Sequence, residues 1–67
     1  TPESENLFEE VMKLPKKYRI VIHLFYYEEM SVAQIADLLH RKESTIRTQL
    51  TRARAMLKEV LGDDYAI

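Results

Sequence analysis

The chain contains no cysteine, which removes disulfides and thiolate metal sites as sources of stability and leaves a composition suited to a reducing compartment. The cytoplasm is therefore the expected location. No run approaches the roughly 18 apolar residues of a membrane span, and the opening TPESEN lacks the basic, apolar and small-residue succession of a signal peptide. No membrane role is expected. Nor does any complete catalytic constellation stand out, and His23 and His40 lie far apart without a cluster of further ligands. An enzyme, a metal, a cofactor and a small-molecule substrate are thus not expected. Strand-type alternation, internal repeats and low-complexity tracts are missing too. Because the first residue is Thr1 and not methionine, the chain is expected to be a segment of a longer one.

What is present fits one small helical domain over residues 1–67. The length of 67 residues with 46% hydrophobic content allows a single core, and a chain this short buries only about 60% of its unfolded surface. The net charge of -1 conceals a polarised distribution. Residues 1–14 carry Glu3, Glu5, Glu9 and Glu10 against Lys13, a balance of -3, whereas residues 40–58 carry Arg41, Lys42, Arg47, Arg52, Arg54 and Lys58 against Glu43, a balance of +5. The second segment suits an anionic partner or, more simply, a solvated helix face.

Periodicity places four helices. In ESENLFEEVMKL the residues Leu7, Phe8, Val11, Met12 and Leu14 recur at helical spacing, with Ser4 as the candidate N-cap. Pro15 ends that helix and suits the first turn of the next. In PKKYRIVIHLFYY, Tyr18, Val21, Ile22 and Phe25 line one face and Ile20, Leu24 and Tyr27 another. Only the strip Lys16, Arg19 and His23 stays polar, so this helix belongs at the centre of the core. Tyr18, Tyr26 and Tyr27 are expected to be core residues with wet hydroxyls. SVAQ then reads as a capping box of Ser31 and Gln34, opening a third helix whose apolar side is Val32, Ile35, Ala36, Leu38 and Leu39. A turn at His40-Arg41-Lys42 leads to a fourth helix from Glu43 or Ser44 to Leu61, closed by Gly62. DDYAI reads as a frayed tail.

Helix four separates into two faces. At about 100° per residue, Leu50, Ala53, Leu57 and Val60 fall within about 40° of Ile46 and form the expected core stripe. Opposite them lie Ser44, Thr48, Thr51 and Ala55, flanked by Arg47 and Arg52. Short side chains let such a face approach another surface closely, and the planar arginine fork pairs with guanine or clamps a phosphate where lysine offers charge alone. Residues 31–61 therefore read as a C-terminal helix-turn-helix with helix four as the recognition helix. Ile35, Leu39, Ile46 and Leu50 supply the contact between its helices, and small Ala36 sits where they cross.

Taken together, Leu14-Pro15, Arg19, Leu24, Tyr26-Tyr27, Ser31, Ile35-Ala36, Leu39, Thr45-Ile46, Arg47, Leu50 and the triplet Arg52-Ala53-Arg54 resemble region 4 of bacterial sigma factors of the extracytoplasmic-function group. The resemblance covers residues 14–61. It implies an all-α, four-helix module that recognises the minus-35 element of double-stranded promoter DNA and docks on the β flap of RNA polymerase, with an anti-sigma factor as a further partner. By position it implies base reading by Arg47, Thr48, Thr51 and Arg52. Ser44 joins them from the helical wheel, and the basic cluster supplies the expected phosphate contacts Arg41, Lys42, Thr45, Arg54 and Lys58, with pairing to an acidic residue of helix one the alternative for Arg54. Phe8, Ile20 and Leu24, from the apolar surplus of helices one and two, are the expected polymerase-facing residues. That surplus also includes Leu7, Val11 and Ile22, expected to be incompletely covered.

Three positions depart from the pattern. Glu29 stands where the family often has glycine before Ser31, His40 where it has the glycine of the helix-turn-helix, and Arg41 where it has an aliphatic residue. A slightly altered turn is the expected result, since non-glycine residues at positive φ are uncommon. Two other functions stay open on the residues alone: the output domain of a response regulator, which binds palindromic operators as a dimer, and a sigma-like interaction module whose working partner is an anti-sigma factor.

Overall fold

The computed structural model describes the backbone of residues 2–62 and side chains from Leu7 to Gly62. Four α-helices follow one another: α1 (Pro2–Lys13), α2 (Lys16–Ile22), α3 (Val32–Leu39) and α4 (Glu43–Leu61). Among the described residues there is no strand, and no helix is long and apolar enough to cross a membrane. The chain is all-α with a C-terminal helix-turn-helix, as its periodicity predicts. α1 begins at Pro2, so Ser4 lies inside the helix and not at its cap. The DDYAI tail lies outside the described residues.

α4 packs against α1, α2 and α3. The core holds Val11 of α1, Tyr18, Val21 and Ile22 of α2, Ile35 and Ala36 of α3, and Ile46, Leu50, Ala53 and Leu57 of α4. Val11 and Ile22 are thus covered, contrary to expectation, at 4% and 1% exposed. Two further apolar residues are more open than their wheel positions imply. Val60 is 63% exposed although Leu57 before it and Leu61 after it pack on the core, and Leu38 is 54% exposed on the outer side of α3.

Local chemistry accounts for the helix boundaries. Pro15 sits just before α2 with ψ 146°, and its carbonyl accepts from the N–H groups of Tyr18 and Arg19, both at 3.0 Å. α3 opens on a complete capping box: Ser31 Oγ accepts from Gln34 N at 3.1 Å and Gln34 Oε1 accepts from Ser31 N at 2.8 Å. Its end is a Schellman motif. His40 takes the left-handed conformation (φ 55°, ψ 48°), its N–H reaches Asp37 O at 3.3 Å, and Arg41 N–H reaches Ala36 O at 2.9 Å. The turn is therefore built as a glycine would build it, and histidine bears the strain. Lys42 occupies the N-cap of α4 without any side-chain cap bond, so α4 starts at Glu43.

One element was not foreseen. Beyond Ile22 the second helix widens into a π turn over His23–Tyr27, where Glu28 N–H reaches back five residues to His23 O at 3.2 Å. Glu29 then turns left-handed (φ 55°) and Met30 N–H closes onto Leu24 O at 3.0 Å. The wider turn rotates the tyrosines outward. Tyr18 is buried as expected, but Tyr26 and Tyr27 are 38% and 48% exposed instead of lying in the core.

Candidate nucleic-acid interface

Burying Ile46, Leu50, Ala53 and Leu57 forces the opposite face of α4 into solvent. Ser44, Arg47, Thr48, Thr51, Arg52 and Ala55 are all exposed, and the face they form bears two cations and no acid. Thr48 donates its hydroxyl back to Ser44 O at 3.0 Å, which satisfies that polar atom within the helix. Arg47 is held one turn above Glu43 by a hydrogen-bonded ion pair of 3.2 Å. Both side chains are more than half exposed, so the pair orients Arg47 more than it stabilises the fold.

Around the start of α4 a shallow hollow gathers Asp37, His40, Arg41, Lys42 and Glu43. Arg41, Lys42 and Thr45 are exposed beside the outer face, and Lys58 is exposed more than one turn beyond Arg52. Arg54 is elsewhere. Its Nε donates to Tyr26 Oη at 2.8 Å, and its guanidinium lies 5.5 Å and 5.7 Å from the ring centroids of Phe25 and Tyr26. A cation stacked on aromatic faces and hydrogen-bonded to a phenol ties α4 to the π turn. Arg54 is thereby engaged with the π turn, and among the described side chains it makes no ion pair with an acidic residue of α1.

A second cleft, between the start of α2 and the outer edge of α4, is lined by Lys17, Tyr18, Ser44, Thr45, Thr48, Gln49 and Arg52. Lys17 and Gln49 did not emerge from the sequence. Gln49 lies about 60° from the core centre on the wheel, a border position whose fate depends on the neighbouring helix.

On the opposite side, α1, α2 and the π turn enclose an open apolar groove of about 830 Å³. Phe8, Ile20 and Leu24, named from three different turns of the sequence, converge on it with Met12 and Tyr27. Phe8 and Met12 are 49% and 52% exposed. Arg19 and His23 edge the groove, and Arg19 fixes its floor by donating to Met12 O at 3.2 Å. His23 stands 3.5 Å from Glu28 and 5.5 Å from the Tyr27 ring. The polar strip of helix two is thus the rim of an apolar surface.

The model of the family described as sigma-70, region 4, matches residues 4–57. Among curated proteins the chain is 37% identical over 60 residues to the ECF RNA polymerase sigma factor SigW of Bacillus subtilis (strain 168), covering 90% of this chain and 32% of that protein. It is also 37% identical over 59 residues to the RNA polymerase sigma factor YlaC of the same organism, covering 88% of this chain and 34% of that one. The chain spans about a third of the length of these relatives. No solved structure gives a significant match.

Proposed function

The chain belongs to the sigma-70 region 4 family, and from that premise we propose that it recognises the minus-35 promoter element through α4 and docks on the β flap of RNA polymerase through its apolar groove. The observation that carries the DNA half is the outer face of α4. Serine, threonines and alanine lie exposed between Arg47 and Arg52, a profile that fits the roughly 12 Å wide major groove without steric conflict. Arg47 and Arg52 contact guanine edges or the adjacent phosphates, the Thr48 and Thr51 methyl groups meet thymine methyls, and Ser44 approaches the groove with the first turn of the helix. Arg41, Lys42, Thr45 and Lys58 meet the sugar-phosphate backbone and set the register.

The polymerase half rests on the groove of Phe8, Ile20 and Leu24. An amphipathic partner helix places its apolar anchors there, in the manner of helix-in-groove recognition. Arg54 acts within the fold, holding α4 against the π turn so that the helix keeps its angle to the rest of the domain.

Selection by the chain from a pool of randomised duplexes at low salt tests this. A single non-palindromic motif is the expected result, because one α4 reads one half of nothing symmetrical. A palindrome with two half-sites one helical turn apart would assign the chain to operator binding as a dimer.

A further inference from the structure

Gln49 is the only polar side chain buried in the core of the described residues, at 8% exposed. Its Oε1 is out of reach of solvent and has no hydrogen-bond partner. Orphaned acceptors of this kind are uncommon, and leucine would fill a helix-crossing position without the penalty. Local rules are broken most often where function requires it. The place of the breach is informative: the amide lines the cleft shared by Ser44, Thr45, Thr48 and Arg52, four residues of the face assigned to DNA. Thr45 and Arg52 stand four residues before and three after Gln49, and therefore beside it on the helix surface.

We propose that Gln49 is a specificity-determining residue, whose amide turns out of the cleft between Thr45, Thr48 and Arg52 when α4 enters the major groove and pairs with an adenine. Its carbonyl, unpaired in the free domain, accepts from the adenine N6 amine while its amide NH2 donates to N7, the bidentate match that glutamine makes best. Gln49 is the one carboxamide on α4, so no other side chain of the helix offers that match. The proposal rests on the reading of α4 as a recognition helix. Within the protein, the competing donor is Lys17, whose Nζ lies 5.1 Å from the Tyr18 ring centroid and whose side chain lines the same cleft. If Lys17 satisfies the carbonyl, Gln49 is structural and reads nothing.

The test uses the 67-residue chain, the duplex selected from the randomised pool, and every single-base change of that duplex, with folding monitored by circular dichroism. Gln49→Leu is expected to fold, to lose about 5- to 150-fold affinity for the selected duplex, the range of one bidentate pair, and to become indifferent to one A·T position. Gln49→Glu, which can only accept, is expected to move the preference at that position toward cytosine. Arg52→Ala is the control for the underlying reading. If Gln49→Leu and Gln49→Glu bind the panel like the parent while Arg52→Ala alters a base preference, this proposal is overturned and the recognition helix stands. If neither Arg52→Ala nor Arg47→Ala alters one, both are overturned.

Discussion

Replacing His40 by glycine should stabilise the domain, although it deletes a whole imidazole. His40 is exposed and holds φ 55°, ψ 48° in the Schellman turn that sets the angle between α3 and α4. For a residue with a Cβ the left-handed region costs about 1–2 kcal/mol, and histidine lies toward the lower end. Glycine removes that strain but raises the entropy of the unfolded chain, which returns about 0.4–1 kcal/mol. With about 1–1.5 kcal/mol of strain removed, the net expectation is a gain of about 0–1 kcal/mol, or up to about 8 °C in Tm for a domain of this size. Urea unfolding followed by circular dichroism should show a higher midpoint with an unchanged slope. His40→Ala keeps the Cβ and should be near neutral, while the β-branched His40→Val should lose stability. A glycine variant no more stable than the alanine variant would refute the argument, because the strain would then not reside in the backbone at this position.

Three other outcomes follow from the same geometry. Tyr26→Phe removes the acceptor of Arg54 Nε at a half-open site and should cost about 1 kcal/mol in thermal unfolding; an unchanged Tm would mean that the 2.8 Å bond holds nothing. Phe8→Asp places a charge in the open groove where the side chain is already 49% exposed, so the fold should change little. Binding of a β-flap fragment, followed by calorimetry, should weaken by about 2 kcal/mol or more; unaltered binding would remove the groove from the polymerase interface. Titration of a labelled duplex at several salt concentrations should give a slope of about -4 to -5, from four to six phosphate contacts; tight binding independent of salt would contradict the phosphate set.

Sequence alone disclosed the elements whose causes are local. The capping box needs only Ser31 and Gln34, and the core stripe of α4 needs only a 3.6-residue period, so both are legible in the residues themselves. Three apolar residues on different turns, Phe8, Ile20 and Leu24, likewise came together because helices one and two carry more apolar surface than a small domain can cover. The failures share a different cause. Val60 obeys the period but lies at the edge of the α4 stripe, about 40° from its centre, where the packing of neighbouring helices decides exposure. Tyr26 and Tyr27 lie within a π turn, whose wider winding breaks the register that a 100° wheel assumes. The pairing of Arg54 with Tyr26 spans 28 residues, and no local pattern signals it. Gln49 is a border position that α2 happens to cover. At His40 and Glu29 the resemblance located the strained turns, but the side chains gave no sign that the backbone would keep glycine's conformation.

The central claim is that the outer face of α4 reads bases and does not merely carry charge. The most direct measurement compares Arg47→Ala, Arg52→Ala and Lys58→Ala, all folded, on the selected duplex and its single-base changes. Arg47→Ala or Arg52→Ala should lose about 1–3 kcal/mol on the selected duplex and flatten the preference at one base position. Lys58→Ala should weaken every duplex alike and lower the salt slope by about one at most. If all three substitutions reduce binding uniformly and none alters base preference, α4 is a basic helix and not a recognition helix.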